Sequence, residues 1–147
     1  MTEAEGRELA AIPKLGEPRS EWLQEKVNTH TNFCGVTDEL GRTLPGMYAE
    51  FDVFLSPNLK MTTFVFSLKR KIKKGETERI YQLEINHAKG IRQTDHRYSH
   101  EHYGEPSFKA DTSWASASFR DAVQRFCVNT NLKLSPELPD YLSFQLK

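Results

Sequence analysis

The sequence predicts an α+β protein: an antiparallel β-meander of about four to five strands packed by a C-terminal helix, with short N-terminal helices. Two observations carry this. Between Met47 and His87 apolar and polar residues alternate with a period of two, interrupted only by short turn-forming links, which favours consecutive antiparallel strands. After Ser118 the pattern changes to a helical stripe, with Phe119, Ala122, Val123, Phe126 and Cys127 at i, i+3, i+4, i+7 and i+8.

Taken in order, Glu3 to Ala11 reads as a short helix, closed by the irregular stretch containing Pro13, Gly16 and Pro18. Ser20 looks like the N-cap of a second short helix, Glu21 to Asn28, burying Trp22, Leu23 and Val27. Thr29 to Gly46 is rich in Thr, Asn, Gly and Pro and is expected to be loop, open to use as a lid or an edge strand. In the strand from Tyr48 to Leu55, Ala49, Phe51, Val53 and Leu55 share a face opposite Glu50 and Asp52, and Ser56-Pro57-Asn58 then reverses the chain. Met61 to Ile72 sets Phe64, Phe66, Leu68 and Ile72 against Thr63, Ser67, Lys69 and Lys71. After a turn at Lys73 to Glu76, Glu78 to His87 sets Tyr81, Leu83 and Ile85 against Gln82, Glu84 and Asn86. A fourth strand, Tyr98 to Tyr103, would point Tyr98, His100 and His102 one way and Ser99, Glu101 and Tyr103 the other. Ser118 and Asp121 have capping-box spacing, and Leu132, Leu134 and Tyr141 to Phe144 suggest a docked tail.

With 147 residues the chain fits a single domain, 1–147, divided into an N-terminal helical and loop segment (1–46), the sheet (47–104) and the C-terminal helix with its tail (105–147). Twenty basic and twenty acidic residues cancel, so no global positive field argues for non-specific nucleic-acid binding, and such binding must come from a local patch. No apolar run approaches the length of a membrane span and the polar start carries no signal-peptide pattern, so a cytoplasmic protein is expected. Cys34 and Cys127 have no zinc-knuckle spacing. Cys127 falls on the apolar stripe; Cys34 is expected to be exposed or half-buried, and only proximity supports a nucleophile made of Cys34 and His30.

Four of the five histidines, His87, His96, His100 and His102, fall in one short stretch, which locates a candidate site. A His-x-His pair on a strand places two imidazoles on one face, about 6.5–7 Å apart in Cα, able to converge on one ion or one phosphate. Three readings stay open: a surface or structural hydrogen-bond network, a divalent-metal site with Glu84, Asp95 or Glu101 as further ligands, and acid/base chemistry. Glu101 should face away from the pair. For the last reading one neutral imidazole would take a proton from an attacking hydroxyl and one imidazolium would protonate the leaving oxygen of a phosphodiester. Lys69, Arg70, Lys89, Arg92 and Arg97 are the cations that could stabilise the phosphorus-centred charge, and Tyr98 or Tyr103 could stack on a base. No cofactor is implied apart from such a metal.

The strings Glu78 to His87, His100-Glu101-His102-Tyr103-Gly104 and Phe119 to Asn129 resemble a group of small bacterial and mobile-element proteins. Those carry a strand ending Leu-Asp/Glu-x-Asn, a downstream His-x-His with an aromatic residue and glycine, and a closing helix ending near Phe-Cys-Asn. The same strings are distantly similar to toxins of the TumE type, which sit beside DNA-binding antitoxins. The resemblance covers Phe64 to about Leu134 and picks out Glu84, Asn86, His100 and His102; Leu83 stands where those toxins have a basic residue. It implies a toxin-like or defence-associated protein of a mobile element; joined to the acid/base chemistry above, the leading reading is a ribonuclease with His100 and His102 as the acid/base or phosphate-binding pair. His96 and His87 would assist them. Lys69, Arg70, Arg97, Tyr98, Tyr103, Glu84 and Asn86 would hold the substrate. Partners would be RNA, or a cognate antitoxin or host factor. The competing class is a non-enzymatic inhibitor or antitoxin-like module that binds through the 29–46 loop and the basic hairpin. A free sheet edge would allow a homodimer.

Overall fold

The computed structural model describes residues 1–56, 61–88, 99–104, 109–110 and 117–141, with the backbone alone at 61, 87, 88, 109 and 110. Its elements are α1 (Glu3–Ala11), β1 (Lys14–Gly16), β2 (Leu23–Lys26), β3 (Thr29–Asp38), β4 (Thr43–Leu55), β5 (Met61–Lys73), β6 (Glu76–Ala88), β7 (His100–Tyr103), β8 (Lys109–Ala110), α2 (Phe119–Thr130) and β9 (Leu132–Leu134). The class is α+β, as the alternation and the helical stripe require, but the strand number is larger than expected. The described strands form one nine-stranded sheet in the order β8-β7-β6-β5-β4-β3-β1-β9, with β2 also paired to β3. Strands β3 to β8 run as an antiparallel meander, and β9 joins β1 in parallel.

The period-two pattern partitions the sheet. Ala49, Phe51 and Val53 of β4, Phe64, Phe66 and Leu68 of β5, and Tyr81, Leu83 and Ile85 of β6 are all buried on one face. Helix α2 lays Phe119, Ala122 and Phe126 on that face, and Phe126 meets Phe51 and Phe66 edge to face at 5.3 and 6.1 Å. Burial of an aromatic side chain of this kind stabilises by roughly 1.5–3 kcal/mol, with a further increment from the edge-to-face geometry. The Ser118–Asp121 capping box forms as its spacing predicts, and Asn131 in the left-handed conformation ends the helix. Tyr141 closes the same cluster against Phe64 and Phe119, while the remaining tail positions, 142–147, lie outside the described residues.

Helix α1 spans the expected residues and packs on the same side. The second N-terminal helix does not form. Leu23 to Lys26 is strand β2, paired to β3, and Leu23 and Val27 are exposed rather than buried; only Trp22 is held, donating from Nε1 to the Pro139 carbonyl and packing on Phe119. The expected 29–46 loop is likewise corrected: it is β3, a hairpin turn and the start of β4. Composition misled here because the inward face of β3 is built from His30, Asn32, Cys34 and Val36 rather than from aliphatic residues alone. Asn32 is satisfied without a solvent partner, its amide exchanging two hydrogen bonds with the Arg19 backbone at 2.9 and 3.0 Å. The N-terminal and C-terminal segments therefore both add strands, so the sheet is not confined to 47–104.

Cys34 is buried, not exposed, and burial with the neighbouring Cys127 pushes its thiol up to about 12, which opposes the thiolate a nucleophile needs. His30 lies on the same inward face, its imidazole pKa lowered by burial. Beneath both helices Lys14 is almost fully buried. Its ammonium donates to Ala10 O and Ile12 O at the end of α1 and to Thr130 O at the end of α2, at 2.9, 2.6 and 2.7 Å. One cation thus binds two helix C-termini, where the aligned carbonyls favour positive charge.

Candidate functional site

The opposite sheet face is polar, and no described helix packs on it. Across β3 to β7 the register aligns Thr31 with Asp52 and Asp52 with Val65, Glu50 with Ser67 and Ser67 with Gln82, then Gln82 with His102 and Glu84 with His100. The His-x-His spacing therefore does what strand geometry requires: both rings project to the face that carries Gln82 and Glu84. Their centroids lie 4.9 Å apart at an interplanar angle of 67°, an edge contact.

Glu84 Oε2 stands 3.6 Å from His100 Nδ1 and accepts from Asn86 Nδ2 at 3.5 Å; Asn86 Oδ1 in turn accepts from Thr63 Oγ1 at 2.9 Å. Thr63, Asn86, Glu84 and His100 thus form a polar chain ending on one imidazole nitrogen, and His102 abuts that ring. At 3.6 Å the Glu84 carboxylate lies beside His100 Nδ1 at ion-pair range, longer than a hydrogen bond. His102 is largely buried and His100 slightly more open.

Of the remaining residues read from sequence, Lys69 shares this face but is held by Glu50 at 2.9 Å. Arg70 does not: it pairs with Glu78 at 2.8 Å beside Met47 on the helix side. Tyr103 also faces the helices, its ring tilted against Tyr81 at 4.8 Å with the Arg7 guanidinium 4.2 Å above it. Glu101 points away from the histidines as the strand alternation requires, and holds β7 to α2: it accepts from Tyr81 Oη at 2.6 Å and Asn129 Nδ2 at 3.0 Å and lies 3.6 Å from Arg125. His96, Arg97 and Tyr98, with Lys89, Arg92 and Asp95, lie outside the described residues, as does the side chain of His87. In the basic hairpin Lys73 is paired with Glu76 at 3.5 Å, and Lys71 lies 5.8 Å from the Tyr48 ring centroid. Among the described residues no three His, Cys, Asp or Glu side chains converge in a way that could hold a metal ion.

Two polar groups on this face were not among the candidate site residues read from the sequence. Asp52 accepts from Thr31 Oγ1 at 2.7 Å, and its carboxyl is raised to about 7 by burial and by the adjacent Glu50. Arg79 is the second. Strict alternation places it inward, but the β5–β6 register shifts between Leu68 and Lys69, so that Ile80 and Tyr81, consecutive in sequence, are both fully buried. Such a bulge re-aims the next side chain. Arg79 consequently lies opposite Lys69 on the polar face, its Nη1 donating to Gln82 Oε1 at 3.0 Å and its Nε to the Gly104 carbonyl at 3.5 Å. The adjacent apolar pair Ile80-Tyr81 was the available signal, since both can be buried only if the ladder slips.

A cavity of about 800 Å³ lies elsewhere, over β1, β3, β4 and the β9 end, lined by Leu15, Gly35, Thr37 and Leu44. No helix among the described residues is long and apolar enough to cross a membrane. Among the described residues, fold and site together define an α+β protein whose nine-stranded sheet buries one face under two helices and presents on the other a histidine pair with a carboxylate beside one ring. No family model, curated protein or solved structure matches the chain.

Proposed function

We propose that the chain is a small toxin-like ribonuclease that cleaves RNA without a metal ion, using His100 and His102. The observation that carries this reading is the Glu84 carboxylate 3.6 Å from His100 Nδ1, with the His102 ring in edge contact with the His100 ring. With Glu84 beside its Nδ1, His100 takes the proton of a ribose 2′-hydroxyl; the 2′-oxygen forms a bond to phosphorus, the bond from phosphorus to the 5′-oxygen breaks, and protonated His102 supplies the proton that oxygen needs. The chemistry requires RNA, because the nucleophile belongs to the substrate. Phe33, Tyr48 and Phe54 stand on the same sheet face, on β3 and β4, where a single strand crossing the sheet could stack its bases. From β4 to β7 is three strand spacings, about 14 Å, the reach of a few nucleotides.

The test is cleavage of a fluorescent oligoribonucleotide in the presence of a chelator. His100→Ala should lower kcat by about 10²-fold or more, His102→Ala comparably, and Glu84→Gln by a smaller factor, with thermal stability near wild type. The pH profile of kcat/KM should be bell-shaped, as a base and an acid acting in one step require. RNA left intact by wild type, or cut equally by the double variant His100→Ala/His102→Ala, overturns the reading.

A further inference from the structure

We propose that Arg79 is an anion-binding residue that seats a phosphoryl group of the substrate against the His100/His102 pair. The inference rests on the ribonuclease reading for the identity of the substrate, but its evidence is separate. Lys69, its neighbour on the polar face, is paired with Glu50, and on the helix side Arg70 is paired with Glu78 and Arg125 with Glu101. Arg79 is anchored instead by two neutral oxygens, Gln82 Oε1 and Gly104 O. Its positive charge is therefore positioned but not compensated by an ion pair among the described residues.

Arg79 and Lys69 are register partners on β6 and β5, and the Glu50 carboxylate engages Lys69 at 2.9 Å rather than Arg79. The bulge that puts Arg79 there is itself fixed, because Gly104 N donates to Ile80 O at 2.9 Å and Gly104, at φ +64°, then turns its own carbonyl to the guanidinium. The Gln82 amide is clamped as well, donating from Nε2 to the buried Ser67 hydroxyl at 3.0 Å while its oxygen takes Arg79. Gln82 is the register partner of His102, so the clamped guanidinium lies one side chain from the histidine pair. A planar guanidinium held by two of its nitrogens keeps further N–H groups to bind phosphate oxygens, the geometry that makes arginine suited to phosphate.

The experiment titrates the full chain with inorganic phosphate and follows the imidazole signals of His100 and His102 and the Nε–Hε signal of Arg79 by NMR. Wild type should bind phosphate with shifts at all three residues. Arg79→Gln should weaken binding by about tenfold or more, and Arg79→Lys by less, since it keeps the charge but loses the fork. Failure of wild type to bind phosphate, or unchanged binding by Arg79→Gln with its melting curve intact, overturns the proposal. Should Arg79→Gln not fold, the Nε–Hε shift of wild type and the affinity of Arg79→Lys decide instead. Oligoribonucleotide cleavage separates the two readings. Phosphate binding through Arg79 without cleavage leaves the anion site standing and removes the ribonuclease; cleavage unaffected in Arg79→Gln does the reverse.

Discussion

Asp52 and Lys14 place ionisable groups where burial opposes charge, with consequences that can be measured separately. The Asp52 carboxyl, raised to about 7 by burial and by Glu50, holds a proton in the folded protein over a pH range in which the unfolded chain has released it. The folded state binds the extra proton between the ordinary carboxylate value near 4 and about 7, so this group's contribution to stability falls as pH rises through that window. An asparagine at this position would imitate the protonated acid, accepting from Thr31 through its oxygen and donating to Glu50 through its amide. The stability gap between Asp52→Asn and wild type should therefore widen in favour of the variant by about 1–3 kcal/mol between pH 5 and pH 8, read as a pH-dependent gap between urea midpoints. A constant gap would show that Asp52 does not titrate in this window. Lys14 is different because its three carbonyl partners are fixed by two helix ends. Lys14→Met keeps most of the volume but strands those carbonyls, and a loss of about 3 kcal/mol is expected in urea unfolding at an unchanged m-value. A loss below about 1 kcal/mol would mean that water replaces the ammonium there.

The elements most legible in the sequence were those whose apolar residues alone fixed the period. In β4, β5 and β6 the inward positions are aromatic or aliphatic almost without exception, and α2 announces both its capping box and its stripe. The inward positions of β3 are His30, Asn32 and Cys34, side chains whose burial depends on partners from elsewhere, such as the Arg19 backbone for Asn32. No local pattern reveals that dependence. β1, β2 and β9 are three or four residues long, too short to display a period, and exist because β3 and β1 offer edges to pair with. The candidate site divides the same way. Glu84, Asn86, His100 and His102 came together because alternation on two adjacent strands determines a face. Arg79 did not, because one slipped residue at Ile80 reverses the parity of everything before it.

At the scale of the whole molecule, the sheet separates an apolar face packed under the helices from a polar face that carries the candidate site. The two faces are linked where α1 meets the β6–β7 end. A Cβ at Gly6 would lie 2.6 Å from Gly104 N and 2.8 Å from Ile80 O, the two atoms whose hydrogen bond pins the bulge beneath Arg79. Both contacts are to backbone, so no side-chain rotation relieves them. Gly6→Ala must either lift α1 from the sheet or push the bulge, although alanine is the better helix former. Overpacking of this kind costs about 1–3 kcal/mol, against which the gain in propensity is about 1 kcal/mol. The variant should melt several degrees below wild type, with the amides of Ile80 and Gly104 losing protection from hydrogen exchange before those of β4 and β5. If the bulge is what aims Arg79, the same variant should also weaken phosphate binding, although Gly6 lies on the face opposite the histidines. Phosphate affinity equal to wild type in a destabilised Gly6→Ala would show that the helix stabilises the sheet end without setting the position of the guanidinium.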